Sequence, residues 1–412
     1  MTFNFDKVID RFNTGSAKYK VITQDGVRVV THTDKPAVGD ERVIQMWVAD
    51  MDFAAPPVVT NALIERIEHP IYGYTTPEPD FKSTLLGWFK RRYGYEIDLD
   101  WVIFSPGVLP ALSVMVADLT EPGDKIIVQR PIYPPFIAKI ELNGRTVANN
   151  QLIYDREAGR YTIDFEQFEA LAADPKVTMF ISSSPHNPTG RVWTPEELTR
   201  MAEICIANGV KIVSDEIHCD LIMPGYSFVP MATLSPDIAQ HVITCMAPSK
   251  TFNLAGMKYA HIVTENKAWR DVIRAGLSRM HLAGPNAFGI FAAQAAYTGG
   301  EEWLEAAITY IYDNYQHLRD FLASELPAVK LTVLEGTYLC WLDFNECGLS
   351  HEELRRRLNA DAKVHLNDGL SFGEAGSGFM RMNIATPRSN LEEALARIVN
   401  VLKSLQKQHV KL

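Results

Sequence analysis

Apolar positions along this chain fall into two textures. From about residue 100 to 290, short runs rich in β-branched residues alternate with longer stretches of helical period. The runs are Trp101–Ser105, Lys125–Gln129, Met179–Ser184, Lys211–Ile217, His241–Ala247 and Ala260–Thr264. Several, such as Ile126-Ile127-Val128 and Met179-Phe180-Ile181, are continuously apolar, as strands covered on both faces are. Pro195–Asn208 reads as a helix, with Thr194 as N-cap, Pro195 at the first position and Glu197 completing a capping box. Strand, helix, strand in succession predicts an α/β layer fold with a mostly parallel sheet. After residue 290 helical stretches dominate: Phe291–Thr298, Glu302–Leu326 (stopped by Pro327), His351–Leu358 and Leu391–Leu405. They surround a few strands, including Thr337–Asp343 and Gly378–Ile384. The expected organisation is a large domain over residues 49–290 and a smaller α+β domain over 291–412, joined by the N-terminal segment 1–48. In an open parallel sheet, ligands bind beyond the carboxyl ends of the strands, so the residues following each strand decide the function.

Composition narrows the classes. At 412 residues two domains are expected. A formal net charge of −10 argues against a nucleic-acid partner. The first residues lack the basic and apolar regions of a secretory signal, and no apolar run reaches the roughly eighteen residues of a membrane span. Cys205, Cys219, Cys245, Cys340 and Cys347 are odd in number and form no CxxC pair. That suits reduced thiols in a cytoplasm better than disulfides or a metal site.

Four segments beyond strands carry candidate chemistry. Pro106-Gly107-Val108-Leu109-Pro110 leads from a strand into an apolar helix, an arrangement that suits a phosphate, although an ordinary strand-to-helix turn also accounts for it. Ser183-Ser184-Pro185-His186-Asn187-Pro188-Thr189-Gly190 is a stiff loop presenting one amide, able to hold a ring oxygen or a carboxylate, or to serve as a capped turn. Asp215-Glu216-Ile217-His218 puts a carboxylate at the end of an apolar strand, where burial requires a cation such as the pyridinium of pyridoxal 5′-phosphate (PLP). Glu216 reads as a solvated loop carboxylate. Lys250, behind an apolar strand and before small residues, is a candidate Schiff-base amine, the ordinary alternative being a snorkelling surface lysine. Each segment follows a different strand, and together they answer phosphate, ring oxygen, ring nitrogen and aldehyde of one cofactor.

The segments Ser184–Gly190, Asp215–His218 and Ser249-Lys250-Thr251-Phe252-Asn253-Leu254-Ala255-Gly256 resemble fold-type-I PLP enzymes of the class I/II aminotransferase family. Within it, Trp47-Val48-Ala49-Asp50-Met51-Asp52-Phe53, Tyr72-Gly73-Tyr74-Thr75, the Ile217-His218 pair and Gly378-Phe379-Met380-Arg381-Met382-Asn383 look most like the MalY/PatB group of cystathionine β-lyases and other cysteine-S-conjugate β-lyases. The resemblance implies that Lys250 carries the cofactor and moves protons, and that Asp215 pairs with the ring nitrogen. It places Asn187 on the ring oxygen or substrate carboxylate, Tyr133 against the ring, and the amides of Val108 and Leu109, with Ser249, on the phosphate. Arg381 takes the substrate α-carboxylate. Tyr74 reaches a neighbouring subunit's site, which implies a homodimer, while Tyr72 reads as a core aromatic. Two positions depart from many aminotransferases: His218 stands where they have tyrosine, and Lys258 where they have arginine for the phosphate. The implied reaction is β-elimination from L-cystathionine or another cysteine S-conjugate, with amino transfer as the alternative. A regulatory binding role is a third class, disfavoured as the sole role by the complete catalytic set.

Overall fold

The computed structural model describes residues 3–12, 14–24, 27–30, 43–77 and 79–409. They divide into two compact units. One comprises Ala55–Ile308 with Glu335–Thr337, and the other the described parts of Met1–Ala54, Thr309–Leu334 and Tyr338–Leu412.

The described residues of the first unit include seven paired strands: β1 (Val102–Ser105), β2 (Lys125–Arg130), β3 (Thr146–Gln151), β4 (Val177–Ser183), β5 (Lys211–Asp215), β6 (Val242–Met246) and β7 (Ala260–Val263). They form one sheet in the order β1-β7-β6-β5-β4-β2-β3. Neighbours from β6 through β5, β4 and β2 to β3 are parallel, whereas β7 runs antiparallel to both β6 and β1. Six of the seven strands follow the apolar runs. The seventh, β3, has no such run to announce it, because Thr-Val-Ala-Asn-Asn-Gln at a sheet edge lacks the apolar signal of a doubly covered strand.

Alternation along the strands feeds two layers. Ile126, Val128, Met179, Ile181, Val213, Ile243 and Ile262 pack with the helices Val108–Leu119, Pro134–Leu142 and Lys267–Arg279. Phe180 turns to the other face and meets Phe168 edge-on, 5.0 Å between ring centres. Helix Lys267–Arg279 comes so near helix Val108–Leu119 that a Cβ on Gly276 would lie 2.3 Å from Asp118 Oδ2 and 2.4 Å from Val114 Cγ1, so a larger residue there would have to displace those side chains. Helix Pro195–Ala207 starts with the expected capping box: Thr194 Oγ1 accepts from the Glu197 N–H while the Glu197 carboxylate accepts from the Thr194 N–H. The expected domain boundary at 290 needs correction. Helix Ala287–Gly299, capped by Asn286, packs on the helices Pro57–Glu68 and Pro79–Tyr93, so it belongs to the first unit.

In the second unit β8 (Lys330–Leu331), β9 (Leu339–Asp343), β10 (Asn367–Asp368) and β11 (Phe379–Asn383) form an antiparallel sheet in the order β8-β9-β11-β10. Ile44–Gln45 pairs in parallel with Val364–His365, which ties the N-terminal segment into this unit. Among the described residues no helix is long and apolar enough to cross a membrane.

Candidate active site

Because β1, β2, β4, β5 and β6 all point the same way, their carboxyl ends share one edge of the sheet. Antiparallel β7 brings its amino end there instead, with Lys258 two residues ahead of it. Across that edge lie, in spatial order, Gly107–Leu109 after β1, Lys258 before β7, Ser249 and Lys250 after β6, Asp215 at the end of β5, Asn187 after β4 and Tyr133 after β2. Chain order is scrambled; sheet order groups the candidates.

Asp215 ends its strand paired with Ser183 on one side and Cys245 on the other. Its carboxylate is buried, and among the described residues it makes one hydrogen bond, from the Ile217 N–H at 3.1 Å, and no ion pair. Burial raises its pKa to about 7, opposed by that N–H and by the nearby charge of Lys250. Lys250 itself is half-buried, in the short helix Pro248–Thr251. Glu216, read above as solvated, is instead fully buried. Its Oε1 accepts from the Ser214 hydroxyl (2.9 Å) and the Met231 N–H (3.0 Å), and burial raises its pKa to about 8. The period of the sequence could not show this, since Met231 lies fifteen residues away.

The Asn187 loop is held from several sides. The His186 N–H donates to the Arg191 carbonyl, the Gly190 N–H to the His186 carbonyl, and the His186 ring bridges Thr189 Oγ1 (2.8 Å) and the Gln129 carbonyl (3.2 Å). Burial lowers the His186 pKa to about 3, so the ring is neutral here. Beneath the loop, buried Glu335 accepts from Arg191 Nε (3.1 Å) and the Val192 N–H (2.8 Å). A partner 144 residues distant leaves no local signal in the sequence.

Helix Val108–Leu119 puts the amides of Val108 and Leu109 in its first turn, behind Gly107. Those N–H groups carry the positive end of the helix. Tyr133 caps the helix Pro134–Leu142 with its ring edge-on to Phe136. His218 is buried and Ser249 half-buried. Lys258 is exposed, with φ 53°, beside Met257, Phe104 and Phe288 on a cavity of about 500 Å³. Tyr74 is fully exposed. Tyr72, expected in the core, is exposed as well. Its hydroxyl donates to the Ile67 carbonyl at 2.8 Å and its ring lies against Phe288 and the Arg66 guanidinium.

Arg381 belongs to the second unit, on β11 between Trp341 and Asn367 of the flanking strands. It is buried, donates through Nη2 to the Trp47 carbonyl at 2.8 Å, and lies 5.0 Å over the Phe372 ring. The Trp47–Phe53 segment beside it is secured along its length. Asn383 donates to the Val48 and Asp50 carbonyls and the Tyr338 hydroxyl to Ala49. Asp50 and Asp52 pair with Arg11, and Asp52 with fully buried Lys18 at 2.8 Å. Neither cation stands out in the sequence as more than a polar N-terminal residue.

Comparison with known proteins decides the family. The family model for aminotransferase class I and II matches residues 41–398. The chain belongs to that family. It is 43% identical to cystathionine beta-lyase PatB of Bacillus subtilis over 397 residues, covering 96% of this chain and 98% of PatB. It is 31% identical to protein MalY of Escherichia coli, with 98% and 100% covered. Cystalysin of Treponema denticola, a structure containing pyridoxal 5′-phosphate, superposes with a TM-score of 0.91 at 34% identity, covering 98% of this chain and all of cystalysin.

Proposed function

We propose that this chain is a PLP-dependent carbon–sulfur β-lyase that cleaves L-cystathionine or other cysteine S-conjugates to a thiol, pyruvate and ammonia. The observation that carries the proposal is Asp215: a buried carboxylate beside Lys250, with no ion-pair partner among the described residues. Such a group fits a protonated pyridine nitrogen. The helix start at Val108 and Leu109 fits the phosphate of the same molecule. PatB, MalY and cystalysin support the choice of cofactor and reaction.

The cofactor, pyridoxal 5′-phosphate, supplies when bound an acceptor for the electron pair left at the substrate Cα. Lys250 would hold the cofactor aldehyde at rest; once the substrate amine takes its place there, the free Lys250 amine would remove the Cα proton. Asp215 keeps the proton on the ring nitrogen. Asn187 would bind the ring oxygen or the substrate carboxylate, with His218 in the place of the tyrosine of many aminotransferases, and Tyr133 would lie against the ring. The Val108 and Leu109 amides hold the phosphate, helped by Ser249 and by Lys258 as a point charge. Arg381 grips the α-carboxylate with its planar fork. The Cβ–S bond would then break, its electron pair leaving with the thiolate while the pair at Cα forms the Cα–Cβ double bond, favourably because a thiol has pKa about 8.5 against roughly 16 for water. Lys250 would then take back the aldehyde and release the enamine, which water hydrolyses to pyruvate and ammonia. Tyr74 is supplied to the site across a two-fold homodimer interface, and the enzyme works in the cytoplasm, where its cysteines stay reduced.

The test is purified protein with L-cystathionine. Stoichiometric release of pyruvate and thiol, with borohydride fixing the cofactor to the peptide containing Lys250, is expected. Amino transfer that requires an added keto acid and releases no pyruvate would make the protein an aminotransferase using the same residues.

A further inference from the structure

Four-residue helices do not orient themselves, because a single turn forms too few hydrogen bonds to offset its nucleation cost. The helix Pro248–Thr251 carries Lys250, so its surroundings must fix it. Thr251 is fully buried and donates through Oγ1 to Asp220 Oδ2 at 2.7 Å. Asp220, itself buried, also accepts at Oδ1 from the Tyr93 hydroxyl and lies 3.7 Å from Arg92 Nε. It is the fifth residue after Asp215 in a loop of overlapping turns, in which the Cys219 N–H donates to the Glu216 carbonyl and the Leu221 N–H to that of His218, each at 2.9 Å. Neutralising Arg92 does not explain a buried acid here, since Glu301 and Glu305 already pair with that guanidinium.

We propose that Asp220 is a positioning residue, which joins the Asp215 loop to the Lys250 helix through Thr251 and so sets the distance between the two groups that act on the cofactor; this rests on the PLP reading above. Touching neither substrate nor cofactor, it acts through the geometry of its neighbours.

The experiment compares holoenzyme carrying Thr251→Val, Asp220→Asn or Thr251→Ser with the unaltered protein. Read out are kcat, KM, melting temperature, and the visible circular dichroism of the bound cofactor per mole of cofactor, which reports how rigidly it is oriented. T251V and D220N should lower kcat about 10- to 100-fold with KM little changed, since small misplacements cost that much, and should weaken the visible dichroism. T251S keeps the hydroxyl and should restore both. If D220N fails to fold, the near-isosteric T251V decides alone. Normal kcat and dichroism in T251V would overturn the proposal, whatever happens to the melting temperature. Absence of cofactor on Lys250 in the unaltered protein would instead overturn the PLP reading and this inference with it.

Discussion

Replacing Asp215 by asparagine sets stability against function in a way that can be worked from the structure. In the cofactor-free protein the buried carboxyl has its pKa raised from 3.8 to about 7. At 1.36 kcal/mol per pH unit this corresponds to about 4 kcal/mol against the ionised form. The sign follows from proton counts. Between pH about 4 and 7 the folded protein keeps a proton that the unfolded chain has lost, so stability falls as pH rises and levels off above 7. An asparagine side chain at this position does not titrate, and its amide oxygen can still accept from the Ile217 N–H. The D215N apoprotein should therefore melt several degrees above the unaltered apoprotein at pH 8 and beside it near pH 4. Adding PLP should reverse the order at pH 8, because a pyridinium offsets the buried charge only where the carboxylate is present. Scanning calorimetry of both proteins from pH 4 to 8.5, with and without cofactor, measures this. In the holoenzyme D215N should lose kcat by about 100-fold or more, as when other preorganised charge stabilisers are removed. A melting difference independent of pH, or one that shrinks as pH rises, would refute the burial argument.

Three further outcomes are expected. Glu216→Gln should keep kcat within about twofold at pH 7, where the acid is already protonated, and should gain stability over the unaltered protein between pH about 4.5 and 8; a large kcat loss would show that Glu216 acts in the chemistry. Arg381→Lys should raise KM about 10- to 100-fold by losing the planar fork while the cofactor spectrum stays the same; loss of PLP would show that Arg381 serves the cofactor or the fold. With the proposed two-fold dimer, mixing inactive Tyr74→Ala chains with inactive Lys250→Ala chains should restore about a quarter of the sites, since half the dimers would be mixed with one site in each intact; no recovery despite subunit exchange would remove Tyr74 from a shared site.

Legibility in the sequence follows burial and distance. β2, β4 and β6 announce themselves because strands covered on both faces carry apolar runs such as Ile126–Val128 and Met179–Ile181, and the capping box at Thr194 and Glu197 is a local motif with local geometry. β3 escapes because an edge strand tolerates Asn149 and Asn150, the latter bound by Gln129 and Gln167 in the fold. Glu216 misleads because its partners include a backbone N–H supplied by tertiary folding, and no side-chain pattern records that. The exposure of Tyr72 is hidden for the converse reason: its neighbours Ile71 and Ile67 are apolar yet exposed themselves. Positions at strand ends are found because topology, not conservation, directs attention to them. The ion pairs of Glu335 with Arg191 and of Lys18 with Asp52 join segments far apart in the chain, and only folding reveals them.

The reversed direction of β7 has a consequence for how this chain can vary in length. A parallel crossover leaves the working edge, travels the height of the sheet and returns, so its connection has slack at the far side. The passage from Met246 to Ala260 makes no such journey. Lys250 and Lys258 therefore sit on one short bridge whose two ends are both pinned at the same rim, with the turns Pro248–Thr251 and Ala255–Met257 filling the span. Inserting or deleting even one residue there shifts one lysine against the other, whereas the turns on the opposite rim, such as Glu121–Asp124 ahead of β2, can lengthen without disturbing either. Insertions and deletions among relatives should accordingly gather on the opposite rim, and the eight-residue step between the two lysines should hold its length.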